Sequence, residues 1–280
     1  LTNEDKDARE RIESAAKDMV ARTCSWSDMN TGSWNIDGLN AFSGVLADAF
    51  SELDADIRLQ EAPGFDTIDS SGNIQTIHTA PILRASARMA APVQIVLTGH
   101  YEAARSGAHI GMTYEPAMDT GAMAGGRKGS AVFDIVLHGK AAHAGRAKEE
   151  GRSAIEAAAE LVVALEGLNG KRDGVTFNVG AIEGGGAVNI VPDLAIVRFG
   201  ARAPDAAAAA WATDFVDRLF AHATSRPGIT GHVHGGFYRP PKPRNAAQQA
   251  IFSAVHATGQ AIGLDLEFID TGGVCEGNNI

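Results

Sequence analysis

Only two cysteines, Cys24 and Cys275, occur in 280 residues. They are too few and too far apart for a disulfide framework or a clustered thiolate metal site, which points to a reducing compartment and makes the cytoplasm the expected location. Aromatic residues are scarce at 6%, and no apolar run approaches the ~20 residues of a membrane-spanning helix. The polar opening from Leu1 to Lys6 lacks the apolar stretch of a signal peptide. Basic residues are outnumbered 24 to 34, a formal charge of −10. That balance argues against nucleic acid or an anionic membrane surface as a partner. What the chain does have is a 45% apolar composition and enough length for one large or two modest domains, each with its own core.

Helical spacing of Ile12, Ala15, Ala16, Met19 and Val20 predicts a helix over 3–22, with Asn3 as its N-cap. A loop is expected over 24–35, and Asp37 is placed to cap a second helix ending near Leu53. Short apolar runs at 57–59, 93–97 and 109–114 read as strands of an α/β layer. From about Lys128 the pattern changes to strand 130–138, alanine-rich helix 152–168, strands 175–182 and 190–202, helix 205–223 and strand 231–237. The order β-α-β-β-α-β is that of a ferredoxin-like unit. Pro240, Pro241 and Pro243 mark the exit, and 245–263 returns to helix. The expected organisation is therefore an α/β domain, residues 1–127 and 238–280, interrupted by a smaller domain, residues 128–237.

Several polar residues fall where chemistry could be done. His100 follows a buried strand and a glycine, at the carboxyl edge where open α/β sheets present ligands. Glu115 stands between Tyr114 and Pro116, and His143 lies on the small-residue loop Ala141 to Gly145. Gly184, Gly185 and Gly186 lack the Lys-Ser/Thr of a phosphate-binding loop and read as a tight bend before Asn189. Arg202 ends the following strand. Each has a plainer alternative: a strand-end histidine capping backbone, an exposed turn glutamate, a loop histidine, a structural turn and a surface arginine.

In that order the residues resemble the co-catalytic zinc metallopeptidases that include glutamate carboxypeptidase, aminoacylase and succinyl-diaminopimelate desuccinylase. The resemblance implies a zinc-peptidase-like α/β catalytic domain, incomplete here, interrupted by a ferredoxin-like lid and dimerisation domain. It implies a zinc-dependent hydrolase that cleaves the amide bond of a small peptide or N-acyl amino acid next to a free carboxylate, acting as a homodimer. His100 and Glu115 would be zinc ligands, His143 would donate to the developing oxyanion, in some members across a dimer interface, and Asn189 and Arg202 would bind substrate. Intact relatives hold two zincs per chain. Here Glu102 stands where the family has an orienting aspartate. The strands before His100 and after Ala108 are joined by fewer residues than a parallel crossover with a full helix requires. The resemblance therefore implies an internal deletion, which takes with it the bridging aspartate and the general-base glutamate, and a C-terminus short of the last histidine. At most one weak zinc site and slow hydrolysis are expected. The rival expectation is a catalytically silent chain whose lid domain still dimerises and binds a carboxylate.

Overall fold

The computed structural model describes residues 2–32, 34–92, 95–98, 110–113, 121–275 and 278. They divide into two compact units: residues 1–65, 76–94 and 261–263, and residues 66–75, 95–260 and 264–280.

In the first unit, α1 spans Asn3–Ser27 and α2 spans Ile36–Phe50. The cap of α1 is Thr2 rather than Asn3, because Thr2 and Asp5 form a reciprocal capping box. Similarly Asn35, not Asp37, accepts from Gly38 N at the start of α2. Asp37 instead sits in the first turn, where a carboxylate meets the positive end of the helix dipole. The expected loop from Cys24 is helical as far as Ser27, and Trp26 packs edge-on against Phe42 of α2 at 5.8 Å. The apolar stripe of α1 is exposed: no residue of this helix is buried. Strand β1 (Asp56–Gln60) pairs antiparallel with β4 (Ile82–Ser86); between them in sequence lies a hairpin of β2 (Phe65–Ile68) and β3 (Ile74–Ile77).

The second unit holds two parallel strand pairs and a four-stranded sheet. β5 (Ile95–Thr98) pairs in parallel with β6 (Ile110–Thr113). Their connection, residues 99–109, lies outside the described residues. β7 (Met123–Arg127) pairs in parallel with β12 (Phe268–Thr271), the last strand in sequence. β8 (Gly129–His138), β9 (Thr176–Gly184), β10 (Leu194–Ala203) and β11 (Thr230–Arg239) form an antiparallel sheet in the order β11-β8-β10-β9. With α3 (Ala154–Glu166) and α4 (Ala206–Thr224) this is the expected β-α-β-β-α-β arrangement. Helix α5 (Ala246–Ala261) follows the proline-rich exit.

The sheet and its two helices bury one another through a simple pattern. Ala154, Ala157, Ala158, Leu161 and Leu165 recur at helical spacing on α3 and are all buried. Ser153 caps this helix and Asp205 caps α4, each side chain accepting from a backbone N–H three residues on. Ala131, Phe133, Ile135 and Leu137 of β8 and Ala195, Val197, Phe199, Ala201 and Ala203 of β10 alternate onto the helical face. Phe133 and Phe199 stack at 5.1 Å on adjacent strands. Alanines on both helices let the backbones approach the sheet closely. Each fully buried leucine or isoleucine contributes about 1.5–3 kcal/mol.

The other face of the sheet is polar in its middle. Arg198 reaches Asp134 at 3.2 Å and Glu183 at 2.7 Å. Its Nη2 also donates to Ile68 O at 3.0 Å. Residues 66–75 cover part of this face: Ile68 packs on Val136 and Ile196, and His234 Nε2 lies 3.1 Å from Asp66 O. Gly72, with φ of +82°, turns this hairpin against Val136.

Candidate functional site

The loop after β8 and the loop before β10 are stitched together by backbone bonds. Gly139 N donates to Asp193 O at 2.8 Å, Ala144 N to Asn189 O at 2.8 Å and Val191 N to Ala142 O at 2.8 Å. An isolated bridge pairs His143 with Ile190. His143 and Asn189 are thus brought side by side at one end of the sheet, both exposed. The glycines before Asn189 form the tight bend that the sequence suggests, with φ of +119° at Gly184 and +82° at Gly185.

The orientation of the His143 ring has a chemical consequence. Gly145 N donates to His143 Nδ1 at 3.1 Å. An Nδ1 that accepts is unprotonated in the neutral ring, so the proton sits on Nε2, which is left as a donor. A histidine in this tautomer can hydrogen-bond to a carbonyl oxygen or an oxyanion without first being charged.

Arg202 is elsewhere. It lies near the end of β10, paired with Ser130 of β8 and Thr176 of β9, whereas Leu194 at the start of β10 pairs with His138. Eight residue steps run from Leu194 to Arg202, which at ~3.3 Å per residue puts the Arg202 Cα about 26 Å from the Leu194 end of the strand. One copy of the sheet therefore does not bring His143 and Arg202 to a single point. Arg202 Nη1 is buried and has no hydrogen-bond partner among the described residues. A guanidinium in this state still has a donor to offer.

His100 and Glu115, the expected metal ligands, lie outside the described residues, as does Glu102. Among the described residues, no group of three His, Cys, Asp or Glu side chains could hold a metal ion. Cys24 is exposed and Cys275 buried, and the two form no disulfide.

Sequence reasoning passes over a second polar cluster, at the residues that enter and leave the sheet. Arg127 and Lys242 exchange backbone bonds at 2.8 and 2.9 Å. The buried Asn278 donates from Nδ2 to Lys128 O at 2.9 Å and Pro240 O at 2.8 Å, while its Oδ1 accepts from Cys275 N. Arg244 bonds Asp270 at 2.6 Å, and Gly126 N donates to the same carboxylate. Arg244 first and Gly126 second hold the Asp270 carboxyl below the usual carboxylate range. Burial lowers the pKa of the Lys242 ammonium. The signal for Asn278 in the sequence is faint: one of two adjacent asparagines just beyond the glycine loop.

Residues 125–226 match the sequence model of the peptidase dimerisation domain. Over these residues the chain is similar to peptidase dimerisation domains. It is 32% identical over 119 residues to an indole-3-acetyl-aspartic acid hydrolase of Enterobacter agglomerans, an alignment covering 36% of this chain and 27% of that protein. Among solved structures it is similar to a tripeptidase of Staphylococcus aureus, with a TM-score of 0.54 and 27% identity over 61% of this chain and 45% of that one. The fold is shared with the aminopeptidase PepT of Bacillus cereus, with a TM-score of 0.54 and 23% identity over 61% of this chain and 46% of that one. The chain thus spans about a quarter of the curated relative and under half of these solved relatives. Among the described residues, no helix is long and apolar enough to cross a membrane.

Proposed function

We propose that this chain belongs to a metal-dependent amidohydrolase acting on an N-acyl amino acid or small peptide with a free carboxylate beside the scissile amide. The observation that carries the reading is the pair of donors set by the dimerisation domain: the Nε2–H of His143 and the unspent Nη1 of Arg202. The first suits a carbonyl oxygen gaining negative charge, the second a carboxylate held in a fork. The dimerisation-domain match and the name of the Enterobacter relative, a hydrolase of an acyl-aspartate, support the same chemistry. Zinc, when bound, would polarise the carbonyl and activate water; His100 and Glu115 are its proposed ligands. Two ligands fall short of the three that a catalytic zinc usually takes from protein, so the steps assigned to this chain's own residues are binding and orientation. The test is titration of the full chain with N-acetyl-L-aspartate. Arg202→Met is expected to weaken binding about tenfold or more with an unchanged melting temperature, in keeping with a lost charged hydrogen bond. Equal binding by the two proteins defeats the reading.

The separation of His143 from Arg202 favours an active site shared between two copies, in which one supplies His143 and Asn189 and the other Arg202. The edge of the sheet at β9 and the adjoining face of α3 suit a second copy of this chain. Val163 of α3 is 74% exposed and Ile182 of β9 is 53% exposed, and β9 pairs on only one side among the described residues. Val163→Glu is expected to shift a dimer to monomer in sedimentation velocity at micromolar concentration. A dimer of unchanged strength would place the interface elsewhere.

A further inference from the structure

Ser130 of β8 is 1% exposed, and its hydroxyl donates to the Tyr238 hydroxyl at 3.2 Å. Ala131 faces the helices, so Ser130, its neighbour in the strand, faces the opposite side of the sheet. Arg202 lies on that same side, since Ala201 and Ala203 flank it in the helical core, and it is the direct cross-strand partner of Ser130. Tyr238 comes from β11, the neighbour of β8 on its other edge. Arg202 and Tyr238 thus start from strands about 10 Å apart with Ser130 between them, a span that two long side chains can close from either side.

Both groups are hydroxyls, so the Ser130 O–H can donate to the phenol oxygen while the phenol turns its own O–H toward an incoming acceptor. Tyr238 is 55% exposed, so that donor is within reach of an incoming group. The Arg239 guanidinium lies 5.8 Å from the Tyr238 ring centroid. Buried serine, accepting phenol and unspent guanidinium form a row on one face.

Building on the reading of Arg202 as the carboxylate anchor, we propose that Tyr238 is the second donor to that carboxylate and determines specificity for it, with Ser130 positioning the phenol. The donor pair selects a planar anion over a neutral amide of the same shape, because an amide NH2 directed at Arg202 would meet another donor. The test uses calorimetric titration of the full chain with N-acetyl-L-aspartate and with its diamide. Tyr238→Phe is expected to weaken N-acetyl-L-aspartate binding five- to tenfold, lower the melting temperature by only about 2–4 °C for the Ser130 hydroxyl left unpaired and narrow the preference over the diamide. Ser130→Ala is expected to weaken binding two- to threefold and narrow the same preference, a change that a purely structural role would not produce. If Arg202→Met weakens binding while Tyr238→Phe binds like wild type, the proposal fails and the anchor survives. If Arg202→Met has no effect, the anchor and this proposal fail together.

Discussion

Arg198→Met is expected to destabilise the sheet-containing unit by about 3–5 kcal/mol, the range for breaking a buried ion pair from one side. The Arg198 side chain is 24% exposed and sits between Asp134, 9% exposed, and Glu183. Removing the guanidinium leaves the Asp134 carboxylate buried with its charge uncompensated. Replacing both partners is a different experiment: Arg198→Met with Asp134→Leu should recover most of the loss, since a well-packed apolar pair can match a buried ion pair. The variant should also release the hairpin, because Arg198 Nη2 holds Ile68 O. Hydrogen exchange over residues 66–75 should accelerate in Arg198→Met, and urea denaturation of the single and double variants measures the energies. A single variant as stable as wild type would mean that the ion pairs contribute little.

The same network sets an acid limit. The hydrogen bond from Arg198 holds the Glu183 carboxyl below its ordinary value. A carboxylate with a lowered folded pKa stabilises the fold fully above the ordinary value, and that contribution is gone once pH has fallen through the lowered one. With a side chain 38% exposed, the effect of Glu183 is screened by solvent and small.

Much of the sheet-containing unit was legible because each element carried its own signal. The run Ala131 to Leu137, apolar except at Asp134, reads as a buried strand, and Asp205 opens the second helix. Elements without such a signal were missed. β7 reads Met-Ala-Gly-Gly-Arg, with glycines where an alternating pattern would show. The hairpin of β2 and β3 is polar and turn-rich, and its role comes from distant partners, Arg198 and His234. For the candidate site, the alternation of Ala201, Arg202 and Ala203 put the arginine opposite the core. Nothing local tied it to Ser130 or Tyr238, whose meeting depends on the order of three strands. The same holds for His143 and Asn189. Their adjacency follows from a bridge between two loops, and family resemblance, rather than spacing, singled them out.

Gly184→Ala should cost about 2–6 kcal/mol and loosen the His143 end of the sheet at the same time. At φ of +119° an L side chain is strained by about 1–3 kcal/mol. A Cβ here would also run into the Leu194 carbonyl oxygen, a backbone atom of the neighbouring strand that cannot rotate away. Relief requires β9 and β10 to separate where Gly185 N donates to Leu194 O, and that overpacking adds about 1–3 kcal/mol. The displacement would pass down the loop to Asn189, whose carbonyl accepts from Ala144 N next to His143. Gly186→Ala is the matched control, because a Cβ there meets open space and no positive φ is needed. Thermal unfolding of the two variants measures the cost, and the His143 ring resonances in NMR report the site. The expected pattern is a lower melting temperature and shifted His143 signals for Gly184→Ala, with both unchanged for Gly186→Ala. Identical behaviour of the two variants would show that the bend at Gly184 does not position this end of the sheet.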